Sequence, residues 1–372
     1  MQDMRFPFLD LATVNAPYID GIREAVERVI VSGRYIGGAE VSRFESALAL
    51  STGTDYAVGV SNGLDALRLI FRAYIEMGRL HPGDMVVVPD NTYIASALAV
   101  SDAGLVPLLA DVSAQTLNLD TSALDAIYNP KVKAVLTVHL YGRPCFDKAL
   151  ADFVERHNLL LIEDNAQAIG ARVFDGRPTG SVGHAAAFSF YPTKNIGALG
   201  DAGAVTTSDS VLATTVRALA NYGSVERYNN IYKGYNCRLD PVQAAVLNVK
   251  LPYVEAESSR RRRLAAVYHS SIANPCVRKP LMTVPDESVW HQYCILTEYR
   301  DSLKAWLEAN GVGCDVNYPL PVHRQKCYSE YADMNLPVAD MIASQVLCLP
   351  ISACTTEADA LAISQIINAY EP

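Results

Sequence analysis

Leu159-Leu160-Leu161-Ile162-Glu163-Asp164 sets four apolar residues in a row before two carboxylates. A run this short and continuous reads as a strand buried on both faces that ends in acid. Outward from it the pattern recurs, at residues 57–60, 85–88, 105–109 and 134–138 before it and at 185–190 and 203–207 after it. Between the runs, Leu67, Ile70, Phe71 and Tyr74 repeat at helical spacing. Continuous apolar strands alternating with helices predict an α/β fold, a mainly parallel seven-stranded sheet with helices on both faces. Ligands of such sheets bind beyond the carboxyl ends of the strands. Asn62 with Gly63, Asn91 to Tyr93, His139 and Asp164 each follow a strand directly, so four polar clusters share one edge.

The chain has 372 residues, half of them hydrophobic, enough for a large core and two domains. The reading is a large α/β domain over 20–250 and a smaller α+β domain over 251–372, joined by residues 1–19. A net charge of −9 argues against broad nucleic-acid binding, which needs a basic face. The one basic run, Arg260-Arg261-Arg262-Arg263, follows Glu255 and Glu257 and reads as a solvated helical stretch paired with them. Eight cysteines lie scattered without a C-x-x-C pair, as expected of reduced thiols in a cytoplasmic protein. The first residues lack the pattern of a secretory signal, and no apolar stretch reaches the roughly 18 residues of a membrane helix. Nothing suggests a metal site.

The segment from Ser189 to Gly203, SFYPTKNIGALGDAG, holds Lys194 among small residues and turn formers. Taken alone, Lys194 is a solvated loop cation. Held on a tight loop and desolvated, it is instead a Schiff-base nucleophile. An Asp at a strand end and a Lys on a later loop are the two side chains pyridoxal phosphate needs, Lys194 for its aldehyde and Asp164 for its ring nitrogen. Ser61-Asn62-Gly63-Leu64 lies between a strand and an amphipathic helix, and reads either as a phosphate cradle or as an ordinary turn capped by Asn62 or Ser61. Tyr93 offers either a ring to stack on a flat pyridine or a cover for the core rim. Gln167 reaches the same ligand if a helical turn begins after Asp164. Asn236, in Gly234-Tyr235-Asn236-Cys237-Arg238, donates to phosphate or makes an Asx turn before a helix opened by Pro241. No G-x-G-x-x-G or Walker-type motif occupies such a position, which disfavours a dinucleotide or nucleoside-triphosphate enzyme.

Taken in order, S-N-G-L-D-A-L, P-x-N-T-Y, E-D-N-A-Q-A-x-G-A, S-F-Y-P-T-K-N-x-G-x-x-G-D-x-G-A and G-Y-N-x-R-L-D-x-x-Q-A-A resemble the DegT/StrS family of sugar aminotransferases. The resemblance runs from about residue 6 to the C-terminus. It implies the type I aspartate-aminotransferase fold, with pyridoxal 5'-phosphate as cofactor and pyridoxamine 5'-phosphate between the half-reactions. It gives Lys194 the covalent link and the proton shuttle, Asp164 the ring nitrogen, Tyr93 the stack, and Gln167 the ring oxygen. Gly63, Leu64 and Ser189 would hold the phosphate, and Asn236 the phosphate of a neighbouring subunit in a homodimer. The implied substrates are a nucleotide-linked keto sugar and L-glutamate, in deoxyamino-sugar biosynthesis. Tyr35-Ile36, Asn91-Thr92-Tyr93-Ile94-Ala95 and Val138-His139-Leu140-Tyr141-Gly142 are similar to the branch aminating C3 of dTDP-3-keto-6-deoxyhexoses. Tyr191, Arg227, Asn317, Tyr318 and His323 are the candidate sugar or diphosphate contacts. Relatives carry His before the Tyr-Pro of H-Y-P-x-P-x-H, whereas this chain has Asn317, an amide in place of a titratable ring.

Three rival readings stand beside this one. A C4 aminotransferase differs in the carbon aminated. A sugar 3-dehydratase of the same scaffold would carry His in place of Lys194. A non-catalytic regulatory protein need not retain Lys194, Asp164 and Gln167 together.

Overall fold

The computed structural model describes residues 4–283 and 287–372. Residues 1–3, read above for a secretory signal, lie outside the described residues. The seven apolar runs form one sheet: β1 (Tyr56–Val60), β2 (Met85–Pro89), β3 (Val106–Ala110), β4 (Val132–Val138), β5 (Leu160–Asp164), β6 (Ala185–Ser189) and β7 (Gly203–Thr207). Their spatial order is β1-β7-β6-β5-β4-β2-β3. β7 alone runs antiparallel to its neighbours; the other pairs are parallel.

The period of two along each strand decides which face a side chain joins. On β5, Leu160 and Ile162 enter one core while Leu161 enters another. On β6, Ala185 and Ala187 enter the first core, and Ala186 and Phe188 a third. Helices Gly63–Glu76 and Ser210–Ala220 share the first core, Lys148–Arg156 the second, and Ala39–Thr52 with Pro241–Lys250 the third. Both sheet faces are therefore covered, which is why these strands carry no polar alternation. Each buried Leu or Ile stabilises the fold by roughly 1.5–3 kcal/mol.

A short exposed hairpin follows, β8 (Ser224–Glu226) and β9 (Asn229–Asn230). Beyond it, β10 (Tyr293–Leu296) and β11 (Val346–Leu349) pair antiparallel and pack with helices Val254–Ser271, Arg300–Ala309 and Glu357–Asn368 around a further core. Phe6 belongs to that core, strapped by Phe6 N–H to the Gly311 carbonyl at 2.9 Å and Gly313 N–H to the Phe6 carbonyl at 2.8 Å. Among the described residues no helix is long and apolar enough to cross a membrane.

The basic run departs from its reading as a solvated face. Arg262 does pair with Glu255, at 2.9 Å. Arg260 instead donates to the Thr355 carbonyl, Arg263 pairs with Glu357, and Arg261 is only 7 % exposed. On a helix of 3.6 residues per turn, each position of a four-residue run faces a different way, and here the second turns inward.

Candidate active site

A cavity of about 510 Å³ opens at the carboxyl edge of the sheet. It is lined by Gly63, Leu64, Tyr93, Asp164, Gln167, Ser189, Tyr191, Lys194 and Tyr318, among others. Nine residues singled out from the sequence thus meet in one space.

Asn62 caps helix Gly63–Glu76, its Oδ1 accepting the Asp65 N–H at 2.8 Å, so the cap reading of that turn holds. Asp65 also draws the Asn62 amide and the Ser61 hydroxyl. The N–H groups of Gly63 and Leu64 have no acceptor among the described residues, as expected of a helix start. A Cβ on Gly63 would stand 2.7 Å from the Ser189 Cβ, so only glycine lets the helix start approach the end of β6. On the other side, a Cβ on Gly203 would lie 2.4 Å from the Asn62 carbonyl.

Asp164, at the end of β5, is 7 % exposed. Its Oδ2 accepts the Ser96 hydroxyl at 2.8 Å, and its Oδ1 the Ala166 N–H at 3.2 Å. Ser96 is in turn 2.8 Å from the Thr92 hydroxyl. The neighbouring Glu163 is fully buried and points the other way, accepting from His139 and from the N–H groups of Gly180, Val182 and Gly183. His139 Nδ1 accepts the Cys145 N–H at 2.9 Å, so the ring proton sits on Nε2 and is donated to Glu163.

Lys194 is half-buried, and its Nζ has no hydrogen-bond or carboxylate partner among the described residues. Burial lowers its pKa, with the Asp164 charge opposing that shift. Its backbone is pinned instead. Lys194 N–H donates to the Tyr191 carbonyl at 2.9 Å. His291 Nδ1 lies 2.7 Å from Asn195 Oδ1, and the buried Lys250 ammonium donates to the Gly197 carbonyl at 2.7 Å and to Asn15 Oδ1 at 2.8 Å. Burial, with the charges of Lys194 and Arg261, pushes the His291 imidazole well down, and burial brings Lys250 down to about 8.

Gln167 sits on a turn, not a helix: Ala168 N–H donates to the Asn165 carbonyl at 3.2 Å. Its amide accepts the Tyr141 N–H at 2.6 Å and donates to the Tyr318 hydroxyl at 3.1 Å. The Tyr93 and Tyr318 rings lie 5.4 Å apart at 40°. Tyr191 is half exposed at the rim. Asn317 borders a second, smaller cavity, its carbonyl accepting from the Tyr141 hydroxyl at 2.5 Å.

Three further predicted contacts, besides Asn317, do not line the main cavity. His323 is fully buried, its N–H and Nδ1 both donating to the buried Asp90 carboxylate at 2.9 and 2.5 Å. Burial raises the Asp90 pKa and the two His323 donors oppose that shift, so the structure places His323 as a partner of Asp90 at the end of β2 and not in the cavity lining. Arg227 sits exposed on the turn of the β8–β9 hairpin, against the Tyr228 hydroxyl at 3.0 Å, and is likewise no contact to the cavity of its own chain. Asn236 forms a β-bridge with Asn221 and is not among the residues lining that cavity. Reasoning from the sequence missed Ser96, His291 and Lys250. Only the i, i+4 pair Thr92 and Ser96 carried a local signal.

The residues fit pyridoxal phosphate: a buried carboxylate, an amine with lowered pKa, aromatic rings, and unpaired N–H groups in a cradle that a Cβ at 63 would distort. The model of the DegT/DnrJ/EryC1/StrS aminotransferase family matches residues 19–368. The chain is 43 % identical to the dTDP-3-amino-3,6-dideoxy-alpha-D-galactopyranose transaminase of Aneurinibacillus thermoaerophilus, over 98 % of this chain and 99 % of that one. It is 42 % identical to the dTDP-3-amino-3,4,6-trideoxy-alpha-D-glucose transaminase of Streptomyces venezuelae, over 98 % and 96 %. The crystal structure of S. venezuelae DesV in complex with a ketimine intermediate superposes with a TM-score of 0.94 at 42 % identity, covering 98 % of both chains.

Proposed function

The chain belongs to the DegT/DnrJ/EryC1/StrS aminotransferase family, and from that premise we propose that it transfers the amino group of L-glutamate to C3 of a dTDP-linked 3-keto-6-deoxyhexose. The observation that carries this reading is the meeting, in one cavity, of an unpaired Lys194, the buried Asp164 carboxylate and the free N–H groups of Gly63 and Leu64.

When bound, pyridoxal phosphate supplies an aldehyde on an electron-withdrawing ring, which eases proton removal beside the transferred nitrogen. The residues of this chain do the rest. Asp164, dry and oriented by Ser96 and Ala166, gives the ring nitrogen a carboxylate to keep its proton against. Gly63, Leu64 and Ser189 offer N–H and hydroxyl donors to the phosphate, where a helix start favours negative charge. Tyr93 and Gln167 would help hold the cofactor ring. Lys194 would hold the cofactor covalently, and its amine would serve as the group that accepts and returns the proton. A lowered pKa suits both tasks, because only the neutral amine attacks or accepts a proton. Tyr191, Asn317 and Tyr318 face the sugar.

We further take the chain to work in the cytoplasm as a homodimer, Asn236 reaching the neighbour's phosphate, with domains 20–250 and 251–372 and residues 1–19 riding on the second. Support for that division comes from Phe6, which packs into the core of the C-terminal part.

The test is direct. Purified protein supplied with cofactor absorbs in the visible, and Lys194→Ala abolishes that band. L-Glutamate then bleaches it and yields 2-oxoglutarate, and a dTDP-3-keto sugar restores it, with NMR locating nitrogen on C3. A persistent band without 2-oxoglutarate refutes the reaction. Nitrogen on C4 refutes the regiochemistry.

A further inference from the structure

Two carboxylates end β5, and they are served differently. Glu163 receives four donors, whereas Asp164 receives two, the Ser96 hydroxyl at 2.8 Å and the Ala166 N–H at 3.2 Å. An ionised carboxylate accepts at about four positions, so Asp164 keeps acceptor capacity for a group in the cavity. Ser96 itself does not line that cavity. It is fully buried on helix Ala95–Asp102, and its N–H is tied to the Tyr93 carbonyl at 3.1 Å.

Elementary chemistry decides the direction of its hydrogen bonds. An ionised carboxylate only accepts, so the single Ser96 hydroxyl hydrogen goes to Asp164. In the 2.8 Å contact between Thr92 and Ser96, Ser96 must then accept and Thr92 donate. Thr92 is buried too, and its hydroxyl has no other acceptor among the described residues. Both hydroxyl hydrogens therefore point one way, from Thr92 to Ser96 to Asp164. Successive bonds of this kind polarise one another, and the last is charge-assisted.

The relay bears on the place of one proton. A pyridine nitrogen facing Asp164 shares a proton with it, held either on the ring or on the carboxylate. The Ser96 bond is about twice as strong to a charged carboxylate as to a neutral acid, so it favours the first arrangement. On Oδ2 the proton would also compete with the Ser96 hydrogen for one oxygen. Ser96 lies outside the cavity lining, and the ring is common to both half-reactions, so the effect falls on both alike.

We propose that Thr92 and Ser96 form a relay that keeps the shared proton on the ring nitrogen and off Asp164, with Ser96 a positioning residue acting through that carboxylate. The inference rests on the aminotransferase reading above and adds to it what holds the proton where that chemistry needs it.

The test uses holoenzyme loaded with pyridoxal phosphate isotope-labelled at the ring nitrogen, for wild type, Ser96→Ala, Thr92→Val and the double variant. In Ser96→Ala the ring-nitrogen NMR signal should move towards its unprotonated position. Both half-reactions, followed by stopped-flow absorbance, should slow by one common factor of about 10- to 100-fold, the effect of one bond to a charged group. The saturation constants for L-glutamate and the keto sugar should stay within about threefold. Thr92→Val should move the signal the same way by less, and should add nothing in the Ser96→Ala background. An unmoved ring signal in either single variant overturns the relay. So do additive losses in the double variant, because Thr92 would then act other than through Ser96. A loss confined to one half-reaction or to a saturation constant overturns it as well. If Ser96→Ala does not take up cofactor, the ring signal of Thr92→Val decides alone. Wild type that consumes glutamate, with Ser96→Ala rates within about twofold of it, overturns the relay alone. Wild type that forms no visible band with the cofactor overturns the aminotransferase reading and the relay together.

Discussion

Replacing Glu163 by glutamine tests the strand end on which the site is built. Two carboxylate oxygens there receive four donors: Oε1 the N–H groups of Val182 and Gly183 at 2.9 and 2.8 Å, Oε2 His139 Nε2 and the Gly180 N–H at 2.9 and 2.7 Å. Whichever way a glutamine amide is turned, its NH2 meets two of these donors and loses both bonds. His139 cannot relieve the conflict by moving its proton, because Nδ1 is already needed as acceptor for the Cys145 N–H. Bonds to a charged group contribute about 1.5–3 kcal/mol each, so two lost bonds cost about 3–6 kcal/mol, against a usual total of about 5–15 kcal/mol. Urea denaturation of the cofactor-free proteins, followed by far-UV circular dichroism, measures the difference. The side chains are of equal size, so no cavity complicates it. A loss below about 1 kcal/mol would refute the reasoning, because it would mean these donors find other acceptors readily.

Three further expectations follow from particular contacts. Gly63→Ala puts a methyl 2.7 Å from the Ser189 Cβ and must push the helix start off β6; overpacking of this kind costs about 1–3 kcal/mol. Because the donors to the phosphate separate with it, equilibrium titration of the apoenzyme should show cofactor affinity falling about 10- to 100-fold. Lys250 holds its proton less tightly when folded, at about 8 against 10.5, so the unfolded chain binds more protons between those values. Wild type should therefore gain stability over Lys250→Met as pH rises through that window, by up to about 1.4 kcal/mol per pH unit, read from urea melts at each end. His323→Leu leaves the buried Asp90 carboxylate without its ring donor and should cost about 3–5 kcal/mol in the same melts, with the Michaelis constant for the sugar unchanged.

The strands were legible because both their faces are buried, which leaves uninterrupted apolar runs such as 159–162. Asp164 and Lys194 were legible because each follows such a run. What escaped were the partners that long separation hides: Ser96 meets Asp164 across 68 residues, and His291 meets Asn195 across 96. His323 was misread for the same reason, since Asp90 lies 233 residues away. Arg261 was misread because a charge run predicts solvation on average, whereas a helix turns each successive residue by about 100° and can bury one member alone.

The arrangement around Lys194 has one logic. An ion pair at its Nζ would stabilise the ammonium and make the amine harder to free. The loop must nonetheless be held, because a nucleophile misplaced by about 1 Å loses much of its rate. The chain meets both demands by fixing the neighbours and leaving the amine unpaired. Lys194 N–H goes to Tyr191, Asn195 to His291 and Gly197 to Lys250, which Asn15 also engages. These anchors come from the N-terminal segment, the end of helix Pro241–Lys250 and the loop that leads into β10. The reactivity of one side chain is therefore distributed over distant parts of the chain, none of which touches its amine.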